Sequence, residues 1–285
     1  MVQLPADTAT AQLPGLYIVA TPIGNLGDLS PRAAQMLAGV ALIAAEDTRV
    51  TARLLAHIGA RTPMTPYHDH NADAVRPRLI ARMAQEAVAL VSDAGTPLIS
   101  DPGYKLVRDA RAAGITVVTI PGPCAAVAAL TLAGLPTDRF LFAGFLPAKA
   151  GARTSAIAEV AGLRASLVFY ESAGRTAATL TALADGLGDR PAAVAREISK
   201  KFEETVDGTL RGLAARYAEV PPRGEVVIVV GPPDAAAPAD AATLDGALRA
   251  AMADASLSAA ASDVAAALGL PRKAVYARAL ELRDA

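Results

Sequence analysis

Short apolar runs alternate with longer, mixed stretches along most of this chain. Residues 16–20 (Leu-Tyr-Ile-Val-Ala), 40–45, 88–91, 115–120, 140–143, 166–170, 192–198 and 226–230 are brief and rich in Val, Ile, Leu and Ala. Such runs predict buried strands. Helical stretches are expected over 31–38, 49–58, from Asn71 or Asp73 to 86, 104–113, 125–132, 153–163, 172–184 and 209–218. Ser30-Pro31 reads as an N-cap followed by Pro at the first helical position, and Gly59 and Gly114 as stops. Residues 63–70 read as extended or loop, and 203–207 alternate as an edge strand would. A repeated strand-then-helix order predicts α/β layers with helices on a substantially parallel sheet.

Two such blocks are expected, an N-terminal α/β domain over 14–134 and a C-terminal one over 138–231. Residues 1–13 are polar and Ala-rich, and a flexible N-terminus is expected there. Residues 232–242, rich in Pro, Ala and Asp, read as a linker. The extension over 243–285 predicts short helices at 244–252 and 262–268, the latter ended by Gly269, and a third opened by Pro271. Two helices joined by Gly-Leu-Pro suit a helix-turn-helix. Over 268–283 four basic residues, among them Arg272 and Lys273, face one acid, a balance that suits phosphate contact. A small packing or dimerisation appendage fits equally well.

The loops after the strands hold the candidate chemistry. The richest is Ser92-Asp-Ala-Gly-Thr-Pro-Leu-Ile-Ser-Asp-Pro-Gly103. Its glycines permit unusual backbone angles and its prolines stiffen it. In open α/β sheets ligands bind beyond the carboxyl ends of strands. Glu46-Asp-Thr-Arg49 ends the second strand. Capping explains Asp47 or Thr48, but not Arg49 in a first turn, which points to an anion or a substrate. Tyr170-Glu-Ser172 with Arg175, and Arg196-Glu197 with Lys200 and Lys201, repeat charged strand ends in the second block.

Composition narrows the classes. The 285 residues are 53% hydrophobic and 19% charged, with a formal net charge of −1, so the chain is globular and no polycation. Cys124 is the single cysteine, which excludes an internal disulfide and fits a reducing cytoplasm. No secretory signal is expected, and no apolar run approaches the ~20 residues of a membrane span. Gly-x-Gly-x-x-Gly, the P-loop and Gly-x-Ser-x-Gly are all missing. His68-Asp-His70 lacks further ligands, so no metal site is expected.

Taken in order, Leu16-Tyr-Ile-Val-Ala-Thr-Pro-Ile-Gly-Asn-Leu-Gly-Asp-Leu-Ser, Ala45-Glu-Asp-Thr-Arg49, Tyr67-His-Asp-His-Asn71, the Ser92 to Gly103 string, Pro121-Gly-Pro-Cys124 and Phe169-Tyr-Glu-Ser172 form a set. In that set the chain closely resembles the ribosomal RNA small subunit methyltransferase I group of the tetrapyrrole methylase superfamily. The resemblance spans about 16–230 and, less specifically, the tail. It implies two tandem α/β domains with a cleft between them, a small helical extension, S-adenosylmethionine folded in the cleft, and a homodimer. It implies 2′-O-methylation of a cytidine in the decoding region of 16S rRNA, with free RNA or the 30S subunit as partner.

By position, Pro22, Ile23 and Gly24 match the first-strand loop of the cofactor site. Asp93 and Thr96 match the loop at its methionine end. Cys124 and Ala125 match a helix start, with Cys124 where relatives often carry serine. Tyr170, Gly224 and Glu225 match positions near the adenosine. A ribose hydroxyl is a poor nucleophile and gains from a base or from charge stabilisation. Glu46, Asp47, Arg49 and Glu171 are the catalytic candidates, with Glu197 a further carboxylate. Arg49, Arg175, Lys200, Lys201, Arg272 and Lys273 are the candidates for RNA. The same residues fit two other readings: a methylase of this fold acting on a tetrapyrrole or a protein side chain, and a non-catalytic RNA-binding or assembly protein.

Overall fold

The computed structural model describes residues 12–233, 241–268 and 270–284. Most of the expected flexible N-terminus (1–11), the centre of the linker (234–240) and Gly269 lie outside the described residues. Nearly all of the chain to Gly231 forms one compact unit, and a second begins at Pro232.

The first unit opens with β1 (Gly15–Val19), α1 (Pro31–Gly39), β2 (Leu42–Ala45), α2 (Thr48–His57), β3 (Met64–Pro66), α3 (Ala72–Met83), β4 (Ala87–Val91), α4 (Tyr104–Ala112) and β5 (Val117–Ile120). Ser30 Oγ accepts from the Ala33 N–H at 3.1 Å and caps α1 above Pro31. The strands pair in the order β3-β2-β4-β1-β5, all parallel. Such a sheet is covered on both faces, and β4 shows it. Ala87, Ala89 and Val91 pack toward Leu37, Leu54 and Leu55 of α1 and α2. Val88 and Leu90 pack toward Leu79, Met83 and Leu106 of α3 and α4.

The connection from β1 crosses β4 to reach β2, whereas the connection from β4 crosses β1 to reach β5. Adjacent strands whose connections leave in opposite directions open a crevice at their carboxyl ends. The loops at 21–28 and 92–103 stand there.

The chain continues through α5 (Ala125–Leu132), β6 (Phe140–Phe145), α6 (Ala150–Val160), β7 (Ser166–Ser172), α7 (Thr176–Leu187), β8 (Pro191–Arg196), β9 (Glu204–Thr209), α8 (Leu210–Glu219) and β10 (Glu225–Val230). The second sheet has the order β6-β7-β10-β8-β9. Here the expectation of a largely parallel sheet does not hold. Only β6 and β7 are parallel, and the other three pairings are antiparallel. The short 197–203 connection is the reason for one of them, because a parallel return needs a crossover of a dozen residues or more.

Leu167, Phe169, Val194, Ile228 and Val230 of this sheet pack with α6, α7 and α8. Its opposite face (Val168, Ala193, Ala195, Val227, Val229) is covered by Ala126, Ala129, Leu130 and Ala133 of α5 and the turn after it. Thus α5, which follows the first sheet in sequence, packs on the second. Its apolar residues show no one-sided stripe that would name the sheet it covers.

Gly186 of α7 lies against α6, where an added Cβ would stand 2.6 Å from Ile157 Cγ2. Ile157 is fully buried. Overpacking costs about 1–3 kcal/mol, against about 1 kcal/mol of helix propensity gained. Gly186→Ala is therefore expected to lower the urea midpoint, and a raised midpoint would show that Ile157 turns aside freely.

The second unit holds α9 (Ala241–Asp254), α10 (Leu257–Leu268) and α11 (Arg272–Asp284) around Leu248, Ala261, Val264, Val275 and Ala279. Arg278 fastens the bundle through a two-pronged pair with Asp245, Nε to Oδ1 at 2.7 Å and Nη2 to Oδ2 at 2.6 Å. Arg272 donates to the hydroxyls of Ser262 and Ser258. No helix among the described residues is long and apolar enough to cross a membrane.

Candidate active site

The crevice is laced by its own loops. Thr21 and Gly95 form an isolated antiparallel bridge, with N–H to O distances of 2.9 and 3.1 Å. The Asp47 N–H donates to Asp93 Oδ1 at 3.0 Å, and the Asp93 N–H donates to Glu46 Oε2 at 3.2 Å. The ends of β2 and β4 are thereby tied to each other. Thr96 Oγ1 donates to the Pro123 carbonyl at 2.9 Å, and the Ala126 N–H donates to the Tyr170 hydroxyl at 3.1 Å. The second bond links the start of α5 to β7.

Backbone strain collects in the same loop. Leu98 (φ 74°) and Ser100 (φ 65°) are left-handed without being glycine, a cost tolerated where the surroundings over-determine the loop. Ser100 is accommodated by the second sheet. β6 shifts register between Phe142 and Gly144, and a Cβ on Gly144 would lie 3.1 Å from Ser100 Oγ.

Since β10 runs antiparallel to β7 and β8, its start adjoins their ends, with Glu225 opposite Ser172 and Val226 opposite Arg196. This end of the second sheet meets the crevice of the first around a cavity of about 470 Å³. Ile23, Asp93, Thr96, Cys124 and Ala125 line it from one side. Tyr170, Gly224 and Glu225 line it from the other, with Glu46 and Glu171 also in its wall. Tyr170 stands edge-on to Phe142 and Phe145, with ring centroids 4.8 and 5.6 Å apart. A Cβ on Gly95 would come 3.3 Å from Ile23 Cγ2, and one on Gly224 would collide with Glu197 Oε1.

Pro22, Gly24 and Lys200 line a second cavity of about 540 Å³. It shares Ile23, Asp93, Ala94 and Glu225 with the first. Lys200 pairs with Glu197 at 3.1 Å and Glu225 at 2.9 Å, and its methylenes lie over Gly24. Ser199 Oγ bonds Asp28, so the 197–203 connection clasps the 21–28 loop.

The other candidates are placed differently. Asp47 caps α2, accepting from the Arg49 N–H at 2.8 Å, and also grips the Arg49 guanidinium. That bond holds its carboxyl down at about 2. Glu171 is buried, and both its oxygens are taken. Oε1 accepts from the Ser172 N–H at 2.7 Å and Oε2 from Thr179 Oγ1 at 2.6 Å. Arg175 Nη2 pairs with Oε2 at 3.2 Å and donates to the Leu146 carbonyl at 2.7 Å. Lys201 lies against the exposed Phe202 ring. Arg272 and Lys273 belong to the second unit. His68 and His70 stand 6.0 Å apart. Among the described residues no group of three His, Cys, Asp or Glu side chains is placed to hold a metal ion.

The first cavity is acidic. Among the described residues Glu46, Asp93, Asp101, Glu171 and Glu225 line it, with no Lys, Arg or His. Asp101 is the member to which the sequence assigns no role. Burial pushes its carboxyl up to about 6, opposed by a Ser92 hydroxyl bond and reinforced by the charges of Glu46 and Asp93. Burial likewise raises Glu46 and Asp93. No spacing could reveal Asp101, because its burial depends on chain segments far away in sequence.

A carboxyl raised above its unfolded value of 3.8 contributes stability that is fully present below that value and lost as pH rises through about 6. Asp101→Asn is therefore expected to gain on the wild type between about pH 4 and pH 7 and to level off above. A constant difference across urea titrations would refute the burial of that charge.

Comparisons with known proteins agree with this architecture. The family model "Tetrapyrrole (Corrin/Porphyrin) Methylases" matches residues 15–214, and "RsmI C-terminal HTH domain" matches 238–283. The chain is 50% identical over 276 residues to "Ribosomal RNA small subunit methyltransferase I" of Mesorhizobium japonicum, covering 95% of this chain and 93% of that relative. To the protein of the same name in Erythrobacter litoralis it is 53% identical over 270 residues, covering 95% and 96%. Among solved structures, uroporphyrin-III C-methyl transferase from Thermus thermophilus complexed with S-adenosyl homocysteine superposes with a TM-score of 0.54. That match, at 21% identity, covers 76% of this chain and 97% of that one and concerns the fold. Relatives half identical along nearly the whole length, together with the methylase model over residues 15–214, show that this chain belongs to the ribosomal RNA small subunit methyltransferase I family of tetrapyrrole methylases.

Proposed function

We propose that this protein transfers a methyl group from S-adenosylmethionine to the 2′-oxygen of a cytidine in the decoding region of 16S rRNA, within the 30S subunit. The observation that carries the reading is the acidic cavity, without a cation in its wall among the described residues, set where the β1 and β4 loops meet the second sheet. The residues fit this cofactor. Its sulfonium and ammonium groups are cationic, and a cavity of about 470 Å³ falls within the usual range for small-molecule sites.

Asp93 and Thr96 hold the methionine end, and the tie between Asp93 and Asp47 fixes that loop. Ile23 and its neighbours Pro22 and Gly24 form the adjoining wall. Cys124 and Ala125 present backbone at the start of α5. Tyr170, Gly224 and Glu225 bound the adenosine side. When bound, S-adenosylmethionine supplies a methyl group attached to positive sulfur. The protein's task is to hold the ribose oxygen in line with it, and positioning supplies much of the rate.

The proton leaving the hydroxyl needs an acceptor. Asp47 is committed to Arg49 and Glu171 to Arg175, Thr179 and Ser172. Glu46 keeps Oε1 free of hydrogen bonds among the described residues, and burial raises its carboxyl, which makes the carboxylate a stronger base. Glu46 is the carboxylate of this reading. The reading also makes the protein a cytoplasmic homodimer, which light scattering measures.

Tritiated methyl transfer to 30S subunits lacking the modification is the test, with the product mapped by blocked alkaline cleavage at the methylated ribose. Label at one decoding-region cytidine is the expected result. Cofactor binding with label only on a tetrapyrrole or a protein, or on no acceptor, would overturn it.

A further inference from the structure

We propose that the second cavity, of about 540 Å³, is the pocket for the acceptor nucleotide, and that Arg53 is its phosphate contact. The inference rests on the proposed methyl transfer to RNA and names the subsite where the RNA strand enters.

Three observations carry it. The two cavities share a wall made of Ile23, Asp93, Ala94 and Glu225. The two cavities therefore adjoin, and occupants of the two meet along that common edge, where the ribose oxygen and the methyl carbon come into direct contact. Their electrostatics differ. Among the described residues five carboxylates and no cation line the first, whereas Arg53 and Lys200 balance Asp93 and Glu225 in the second. A cation belongs in the former, and a phosphodiester finds an unneutralised positive charge only beside Arg53 in the latter.

The cations of the second cavity are also unequal. Lys200 is spent on Glu197 and Glu225. Arg49, one turn before Arg53 on α2, is spent on Asp47. Among the described residues Arg53 makes no ion pair and no side-chain hydrogen bond, yet it is exposed beside the apolar floor of Leu26, Val50 and Leu54. A guanidinium left unpaired beside an apolar recess suits a nucleotide, with the base against the recess and the phosphate on the fork. In the transfer itself the ribose oxygen–carbon bond forms, the sulfur–carbon bond breaks with its electron pair passing to sulfur, and the hydroxyl proton leaves for a carboxylate.

The test compares Arg53→Ala, Arg53→Glu and Val50→Trp with the wild type. KM for 30S subunits is expected to rise about tenfold in Arg53→Ala, the scale of one charge-assisted contact, and further in Arg53→Glu. The cofactor Kd by calorimetry stays unchanged in all three. The salt dependence of 30S binding becomes shallower by about one phosphate contact in Arg53→Ala. Val50→Trp fills the recess and raises the same KM with an unaltered salt slope. An unchanged KM and salt slope in both Arg53 variants would overturn the assignment. Equilibrium binding separates the two proposals. If the wild type binds 30S subunits but transfers no methyl group, and Arg53→Glu loses that binding, the reaction falls and the pocket stands.

Discussion

Asp93→Ala is expected to weaken S-adenosylmethionine binding about 30- to 100-fold in calorimetry, while truncation at Pro233 leaves it unchanged. Asp93 carries two loads at the crevice. Its Oδ1 receives the Asp47 N–H and its own N–H reaches Glu46, so it joins the ends of β2 and β4. It is also one of the carboxylates that make the cavity attractive to a cation. Removing it leaves the Asp47 N–H without its partner and subtracts a charge facing the ligand. Hydrogen bonds to charged groups contribute about 1.5–3 kcal/mol, and 1.4 kcal/mol is tenfold in affinity. Equal affinity in variant and parent would remove Asp93 from the site. The truncated protein serves as the control, and it is expected to lose affinity for RNA. Undiminished RNA affinity would make the three-helix unit a packing or dimerisation element.

Arg175→Ala is expected to cost about 3 kcal/mol of stability in urea denaturation, with cofactor affinity and the affinity of the folded fraction for 30S subunits unchanged. The Glu171 side chain has 0% exposure, whereas Arg175 retains 34%. Breaking a buried pair from one side strands the charge that remains, at about 3–5 kcal/mol. The lower end applies, because Arg175 is partly solvated and Glu171 keeps the Ser172 and Thr179 donors. The Leu146 carbonyl loses its donor as well. A loss below about 0.5 kcal/mol, the size of an ordinary surface substitution, would return Arg175 to the RNA-facing surface.

This residue shows where reading the chain stops. A basic side chain four positions after a carboxylate at a strand end suits a substrate contact and an internal ion pair equally. Only the packing of β7 against α7, which buries Glu171 and brings Thr179 to it, decides for the pair. Arg49 and Lys200 are likewise cations at strand ends. Arg49 has its local partner Asp47 and stays 87% exposed, whereas the fold brings Glu225 from a distant strand to Lys200. Arg53, which nothing in the sequence marks, is left unpaired among the described residues.

The sequence by itself determined the periodic elements, the rigid polar loop after β4, the helical extension and, through an ordered set of motifs, the family. Those properties are local, set by side-chain spacing, proline, glycine and capping within a few residues. Tertiary structure alone decided that α5 covers the second sheet, that three of that sheet's pairings are antiparallel, and that Asp101 is half-buried near other carboxylates. Each depends on which distant segments share a face, and the free energy of burial that selects them depends on area removed from water rather than on spacing along the chain.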